Sequence, residues 1–308
     1  MKRPRSSDSI RIGVMSDCHL GQDTVVINRG RTQAIDGRND SLPVRWRQHI
    51  LERAHLPGHP HLGPDITSIR GVDLVLIAGD TWTGTRAVDY ADEVAAYCCC
   101  PVVLIAGNHE FYGVDITATL AIMAEAATRT NDRVRFLDDS RTDIVIRGRR
   151  VAILGSLFWT DYRLNGVERQ NESMIAAKSG LNDHLYITIG GRPFTPTDAL
   201  AQHERSKAWL SEAVPIAKTD ADIVIVMVHH GVVREANAEV YRGGILSPAF
   251  ASDISEEISS WGADLLVSGH THHSFAIMVG NTRVVSAPRG YIGTEPGVEN
   301  YVPMIVEI

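Results

Sequence analysis

Short, almost uninterrupted apolar runs, each stopping at glycine or a polar residue, dominate the first half of the chain: RIGVMSD, VDLVLIAGD and PVVLIAGN. Such runs are strands buried on both faces, which a parallel sheet with helices on either side provides. Between them, residues 85–98 and 114–130 are long and alanine-rich enough to be the crossover helices of βαβ units. TDIVIRG and RVAILGS predict a hairpin around Gly148. The stretch 158–197, with Gly190, Gly191, Pro193 and Pro196, reads as an irregular excursion from the core. A helix over 198–217, capped by Asp198, then feeds the strand DIVIVMVHH. DLLVSGH, SFAIMVG, TRVVSAP and VPMIVEI predict a second sheet with antiparallel pairs. Residues 22–65 are polar and rich in proline and glycine, with one helix expected over 44–54. An α/β fold over 1–308 as a single domain is expected, with 158–197 as a substrate-shaping insertion.

Lysine and arginine total 30 against 37 for aspartate and glutamate, a net charge of −7. That balance argues against a footprint on a phosphate backbone, so no polymeric nucleic acid is expected as partner. No segment approaches the roughly 20 apolar residues of a membrane helix, and the basic start (Lys2, Arg3, Arg5) leads into no apolar run. A cytoplasmic protein with no membrane partner is the expectation; composition leaves the oligomeric state open. Cys98, Cys99 and Cys100 are consecutive and Cys18 lies far away, which is no disulfide framework. The chain also lacks a P-loop, a dinucleotide-binding glycine pattern and internal repeats.

Ligands of α/β sheets bind outside the carboxyl ends of the strands. Five such ends carry metal-ligand types here: Asp17-Cys18-His19, Gly79-Asp80, Gly107-Asn108-His109-Glu110, His229-His230 and Gly269-His270-Thr271-His272. Any one alone is ordinary, but together they supply enough oxygen and imidazole donors for two divalent ions. On an extended chain the spacing of two puts Asp17 with His19, and His270 with His272, on one side, leaving Cys18 and Thr271 pointing away. By the same alternation His230 and His273 should face away from their neighbours. His55, His59 and His61 share a proline-bearing loop without carboxylates and are not expected to form a third site.

In these five motifs and their order, D-x-H, G-D, G-N-H-E, H and G-H-x-H, the sequence resembles the calcineurin-like metallophosphoesterase superfamily. The resemblance runs from Asp17 to His272 and implies a four-layer αββα sandwich of two mixed β-sheets flanked by helices. It implies that Asp17, His19 and His272 bind one metal, Asn108, His229 and His270 the other, and that Asp80 bridges them. Two divalent or mixed-valence ions follow, with Mn, Fe, Zn and Co all suited to such ligands. A bridging carboxylate holds two cations about 3.5–4 Å apart, where both can grip a phosphoryl oxygen and a shared hydroxide that attacks phosphorus. The resemblance further implies that His109 is catalytic, steadying the transition state or protonating the leaving group.

The sequence departs from the protein phosphatases of that superfamily at Thr83, where they carry an aspartate partnering the catalytic histidine; purple acid phosphatases have a tyrosine there. His109 is thus left without an evident orienting group, and Glu110, expected to face away, is given no catalytic role. Candidate substrate contacts are Arg289, whose fork suits a phosphate oxygen, and Tyr112 and Trp159, whose faces suit a base or aryl group. Tyr162 and Asn182 lie in the same insertion.

The expected activity is metal-dependent hydrolysis of phosphate esters, small cyclic-nucleotide-like phosphodiesters foremost. A phosphomonoesterase or dinucleoside polyphosphate hydrolase is the near alternative. A nuclease would need a positive groove, and a non-catalytic metal-bearing scaffold would more typically lack a ligand or His109.

Overall fold

The computed structural model describes residues 9–20 and 63–308. The helix expected over 44–54, His55, His59 and His61, and the basic start lie outside the described residues.

The buried apolar runs form the middle of two sheets. The first has the order β13-β1-β2-β3-β4, built from Met304–Glu307, Arg11–Met15, Leu74–Ala78, Val102–Ile105 and Val134–Leu137. Its first four strands in sequence are parallel, as βαβ connections require, and β13 closes the edge antiparallel to β1. The crossover helices are α1 (Arg86–Cys98) and α2 (Ile116–Thr128).

The second sheet has the order β11-β12-β10-β9-β6-β5. Here β6 (Arg149–Ser156), β9 (Ile223–Val228), β10 (Leu265–Ser268) and β12 (Thr282–Ser286) are parallel. The antiparallel pairs are confined to its edges, β5 (Ser140–Ile146) on β6 and β11 (Phe275–Val279) on β12. The expected hairpin turns at Arg147 and Gly148, both with positive φ, 51° and 78°. One difference stands out in the last third: its final run, β13, crosses back to complete the first sheet.

The stretch expected to be irregular carries structure of its own: α3 (Gln170–Gly180), the single turn α4 (Asp183–Tyr186) and a two-residue hairpin of β7 (Thr188–Ile189) and β8 (Arg192–Pro193). Its polar helix gives little periodic signal, and Gly190 and Gly191 make the hairpin turn rather than break structure. The helix after it, α5 (Pro196–Asp220), starts earlier than expected because Thr195 is the cap and Asp198 the reciprocal partner in a capping box.

Packing follows three apolar layers. Between the sheets, Ile12, Val14, Leu76 and Val103 cluster with Ile153, Ile225, Met227 and Val267. The outer face of the first sheet joins α1 and α2 through Val75, Ile77, Leu104, Val88, Val94 and Met123. That of the second joins α5 and α6 (Ser255–Trp261) through Leu154, Val226, Leu266, Leu210, Val214 and Ile258. The order helix, sheet, sheet, helix is therefore the four-layer sandwich expected from the motifs. Among the described residues, no helix is long and apolar enough to cross a membrane.

Candidate metal centre

The two sheets meet at the carboxyl ends of their parallel strands. Beyond β1, Ser16 bridges to Pro288 after β12, and Ser16 N–H donates to the Ala287 carbonyl at 3.1 Å. Asp17 N–H reaches the Gly79 carbonyl at 3.0 Å and Gly269 N–H the His229 carbonyl at 2.8 Å. Four of the five motif ends are thus laced together by backbone before any side chain is counted.

The glycines make this approach possible. A Cβ on Gly107 would sit 2.1 Å from Asp80 Oδ1, and one on Gly79 would sit 2.6 Å from both Gly107 N and His229 Nδ1.

The local geometry differs from the extended chain assumed for the spacing of two. Asp17, His19, Asp80, His270 and His272 have φ of 52°, 46°, 53°, 67° and 51°, all left-handed. Each costs on the order of 1 kcal/mol or more, least for Asp, Asn and His. The chain leaves each strand in a tight reversal, and that reversal, not strand alternation, aims the side chains inward. Cys18 is nonetheless buried against the outer core of the first sheet.

All seven expected ligands converge. Asp17, His19 and His272 place one donor atom each within 4.8 Å of one another, as do Asp80, His229 and His270. His272 Nε2 lies 3.0 Å from His19 Nε2 and 3.5 Å from Asp17 Oδ1. On the other side, His229 Nε2 lies 3.1 Å from Asn108 Oδ1 and 3.4 Å from Asp80 Oδ1. Asp80 Oδ2 meanwhile faces His19 Nε2 at 3.8 Å, so this carboxylate touches both groups. A buried set of only oxygen and imidazole donors, divided in two by one carboxylate, fits a pair of borderline divalent ions.

Hydrogen bonds on the far side of the ligands fix which atom each presents. His229 Nδ1 donates to the Ala78 carbonyl at 2.8 Å and His272 Nδ1 to Glu295 Oε1 at 2.6 Å, so Nε2 is the inward atom of both. Asn108 Nδ2 donates to Asp183 Oδ1 at 2.8 Å, which turns the amide oxygen inward. Asp17 accepts the N–H of His270 on both oxygens at 3.0 Å.

Burial lowers His19 and His270, and their histidine neighbours add to the effect. For His229, burial opposes protonation but Asp80 outweighs it, raising it to about 9. His272 behaves likewise, with Asp17 and Glu295 raising it to about 10. Burial alone would raise Asp80; the surrounding His229 and His109 pull it well below the usual carboxylate range.

Sequence reasoning missed four residues. Glu110, fully buried, turns back into the structure: Oε1 accepts the N–H groups of Thr81 (2.6 Å) and Trp82 (3.3 Å), and Oε2 those of Gly107 (2.7 Å) and Asp80 (3.0 Å). It clamps the Gly-Asp loop to the Gly-Asn-His loop. Glu295 and Tyr291, from the segment after β12, reach His272 and His109, and Asp183 holds Asn108. Only Glu110, fixed within the third motif, was open to suspicion in advance; the other three carry no local signal.

His109 sits beside the cluster, Nε2 3.9 Å from Asp80 Oδ2, with its backbone N–H donating to Asp80 Oδ1 at 2.8 Å. Tyr112 stacks on it at 4.2 Å and donates its hydroxyl to Asp183 at 2.7 Å, so the ring is at the site as a wall of the histidine. Trp159 does not line the opening: it is 3% exposed, packed at 4.6 Å on Phe194 and 4.8 Å on His230. Arg289 is likewise withdrawn, 5% exposed, with Nη1 donating to the Cys18 carbonyl at 2.7 Å. Each is held by its own contacts, the Trp159 ring by apolar packing and the Arg289 guanidinium by a backbone carbonyl. Tyr162 is buried, and Asn182 is exposed while its neighbour Asp183 turns inward. His230 does not point away: it is fully buried and packs at 4.1 Å on His270. His273, half-buried, lies over Phe275 at 6.3 Å.

Among solved structures, the chain is similar to phosphopantetheinyl hydrolase from Mycobacterium tuberculosis, at 14% identity over 98% of this chain and 97% of that one, with a TM-score of 0.63. A purple acid phosphatase from yellow lupin seeds aligns at 13% identity over 91% of this chain and 44% of its own, TM-score 0.40. An archaeal phosphodiesterase aligns at 12% over 97% and 100%, TM-score 0.35. A search of curated protein sequences found no match. The family model for calcineurin-like phosphoesterase matches residues 10–274, from β1 through the last ligand pair. The chain therefore belongs to the calcineurin-like phosphoesterase family.

Proposed function

We propose that this chain is a dinuclear metal-dependent hydrolase of small phosphate esters, with phosphodiesters of cyclic-nucleotide type as its substrate class. The observation that supports it is the division of seven inward donors into two groups by Asp80, with His109 alongside. Asp17, His19 and His272 would hold one ion, Asn108, His229 and His270 the other, and Asp80 both. When bound, such ions polarise a phosphoryl group and make a solvent oxygen nucleophilic at neutral pH.

The protein's own groups do the rest. Glu110 and the backbone lacing keep the two loops at fixed separation, so that the ester meets a preformed cage. His109, held over the cage and open to solvent on one side, donates its Nε2 proton to the leaving oxygen. Arg289 is engaged with Cys18, and among the described residues no lysine or arginine pairs with the cluster carboxylates. A diester, with one negative charge, is better matched to that setting than a monoester dianion. The net charge of −7 argues against a nucleic-acid polymer as substrate.

Metal analysis of the purified protein, followed by turnover of bis-aryl and mono-aryl phosphates with Mn²⁺, Fe²⁺, Zn²⁺ and Co²⁺, tests the reading. Two ions per chain and faster diester cleavage are expected. Faster monoester cleavage with every metal overturns the substrate class, and a chain that binds a single ion and cleaves neither ester overturns the whole.

A further inference from the structure

Thr83 leaves His109 without the carboxylate that orients the equivalent histidine in phosphatases, and Thr83 itself is exposed. We propose that Tyr291 takes that place as the positioning residue for His109, an inference that rests on the hydrolase reading above. Its hydroxyl lies 3.0 Å from His109 Nε2. Its ring packs against two expected ligands, tilted at 4.3 Å on His19 and edge-on at 4.6 Å to His272. Tyr112 covers the face of the His109 ring, so one tyrosine sets the plane and the other the rotation within it.

The segment carrying Tyr291 is built onto the centre. Arg289 N–H donates to the Ser16 carbonyl at 3.0 Å and Gly290 N–H to that of Asp17 at 3.1 Å. The Tyr291 carbonyl accepts the N–H groups of Thr294 and Glu295, and Glu295 in turn holds His272. Gly290 allows the fold-back, since its φ is 89° and a Cβ there would lie 2.3 Å from Glu295 Oε2. Tyr291 is thereby fixed to backbone on both sides.

A phenol suits the task differently from a carboxylate, because it accepts from an N–H and also donates to a bare nitrogen. When His109 acts as the acid it carries a proton on both ring nitrogens, and the Tyr291 oxygen accepts from Nε2–H, so that losing this proton leaves a neutral ring. As the phosphorus–oxygen bond breaks, that N–H bond breaks and the proton joins the leaving oxygen. The hydroxyl then turns to donate its own hydrogen to the emptied Nε2, and the ring keeps its place through the cycle.

The test is Tyr291→Phe, which keeps the ring against His19 and His272 and removes only the hydroxyl. Expected is an unchanged metal content and a fall in kcat of about tenfold, the worth of one hydrogen bond, on esters with alkyl leaving groups. Nitrophenyl esters, which leave without a proton, should be barely affected. The double variant with His109→Ala should be no slower than His109→Ala alone, and the ¹⁵N resonance of His109 Nε2 should move in Tyr291→Phe. An equal loss on every leaving group, additive losses in the double variant, or an unmoved resonance overturns the positioning role. Wild-type protein that cleaves no ester defeats the hydrolase reading and the role with it, whereas turnover that Tyr291→Phe leaves untouched on all esters defeats the role alone.

Discussion

The Nε2 atoms of His19 and His272 face each other at 3.0 Å, which is hydrogen-bond distance. Two ring nitrogens can share that contact only if one carries a proton. Burial keeps His19 low, while Asp17 and Glu295 raise His272 to about 10, so the proton is on His272. Across Asp80 the same holds for His229, raised to about 9, whose Nε2–H points at Asn108 Oδ1. Without metal, the cage is thus closed by protons at the positions where cations would bind.

Metal loading must therefore expel them. Because both groups have raised values, they are protonated at pH 7 and release about two protons per chain on loading, so affinity weakens as the pH falls below about 10 at the His272 side and below about 9 at the His229 side. Calorimetry in buffers of different ionisation enthalpy measures the release directly. A buffer-independent heat would contradict the assignment.

His109→Ala removes a group whose donor atom lies within 4.8 Å of those of His19 and Asp80 but which belongs to neither proposed ligand set. The variant should keep its metal and lose about 10²–10⁴-fold in kcat, the usual share of a general acid. Unchanged hydrolysis of an alkyl diester, whose leaving group needs that proton, would take His109 out of the mechanism.

Glu110→Gln tests the clamp. A glutamine offers one oxygen, so its NH₂ would confront two of the four N–H groups that Glu110 now accepts. Stranding buried donors in this way should cost about 3 kcal/mol. Urea denaturation of the metal-free variant reads the loss, and a change within 0.5 kcal/mol would show the clamp to be incidental.

Glu295→Ala removes the carboxylate that orients His272 through Nδ1. Affinity at the Asp17 side should fall about 10–100-fold, as for other outer partners of metal-bound histidines, with the Asn108 side little changed. Two equally weakened sites in a metal titration would refute that local effect.

Much of the site was legible because its parts are local. An apolar run marks a strand buried on both faces, and its stop marks a carboxyl end, so Asp17, Asp80, Asn108, His229 and His270 could be placed together from the sequence. Side-chain direction was not legible: an extended chain would alternate through Asp17-Cys18-His19 and His270-Thr271-His272, whereas the backbone is left-handed at Asp17, His19, His270 and His272. Strand patterns carry no mark of where pairing ends and the reversal begins, so His230 also fell on the wrong side.

By itself, then, the sequence determined the layers and the identities of the donors, since burial pattern and residue chemistry are properties of short segments. Only the tertiary structure decided what surrounds them. Tyr291 on His109, Glu295 on His272, Asp183 on Asn108 and Arg289 beneath Cys18 join residues between 23 and 271 positions apart. Such contacts depend on the crossing of β13 to the first sheet and on the path of two long connections, and the free energy that selects those paths is spread over the whole core.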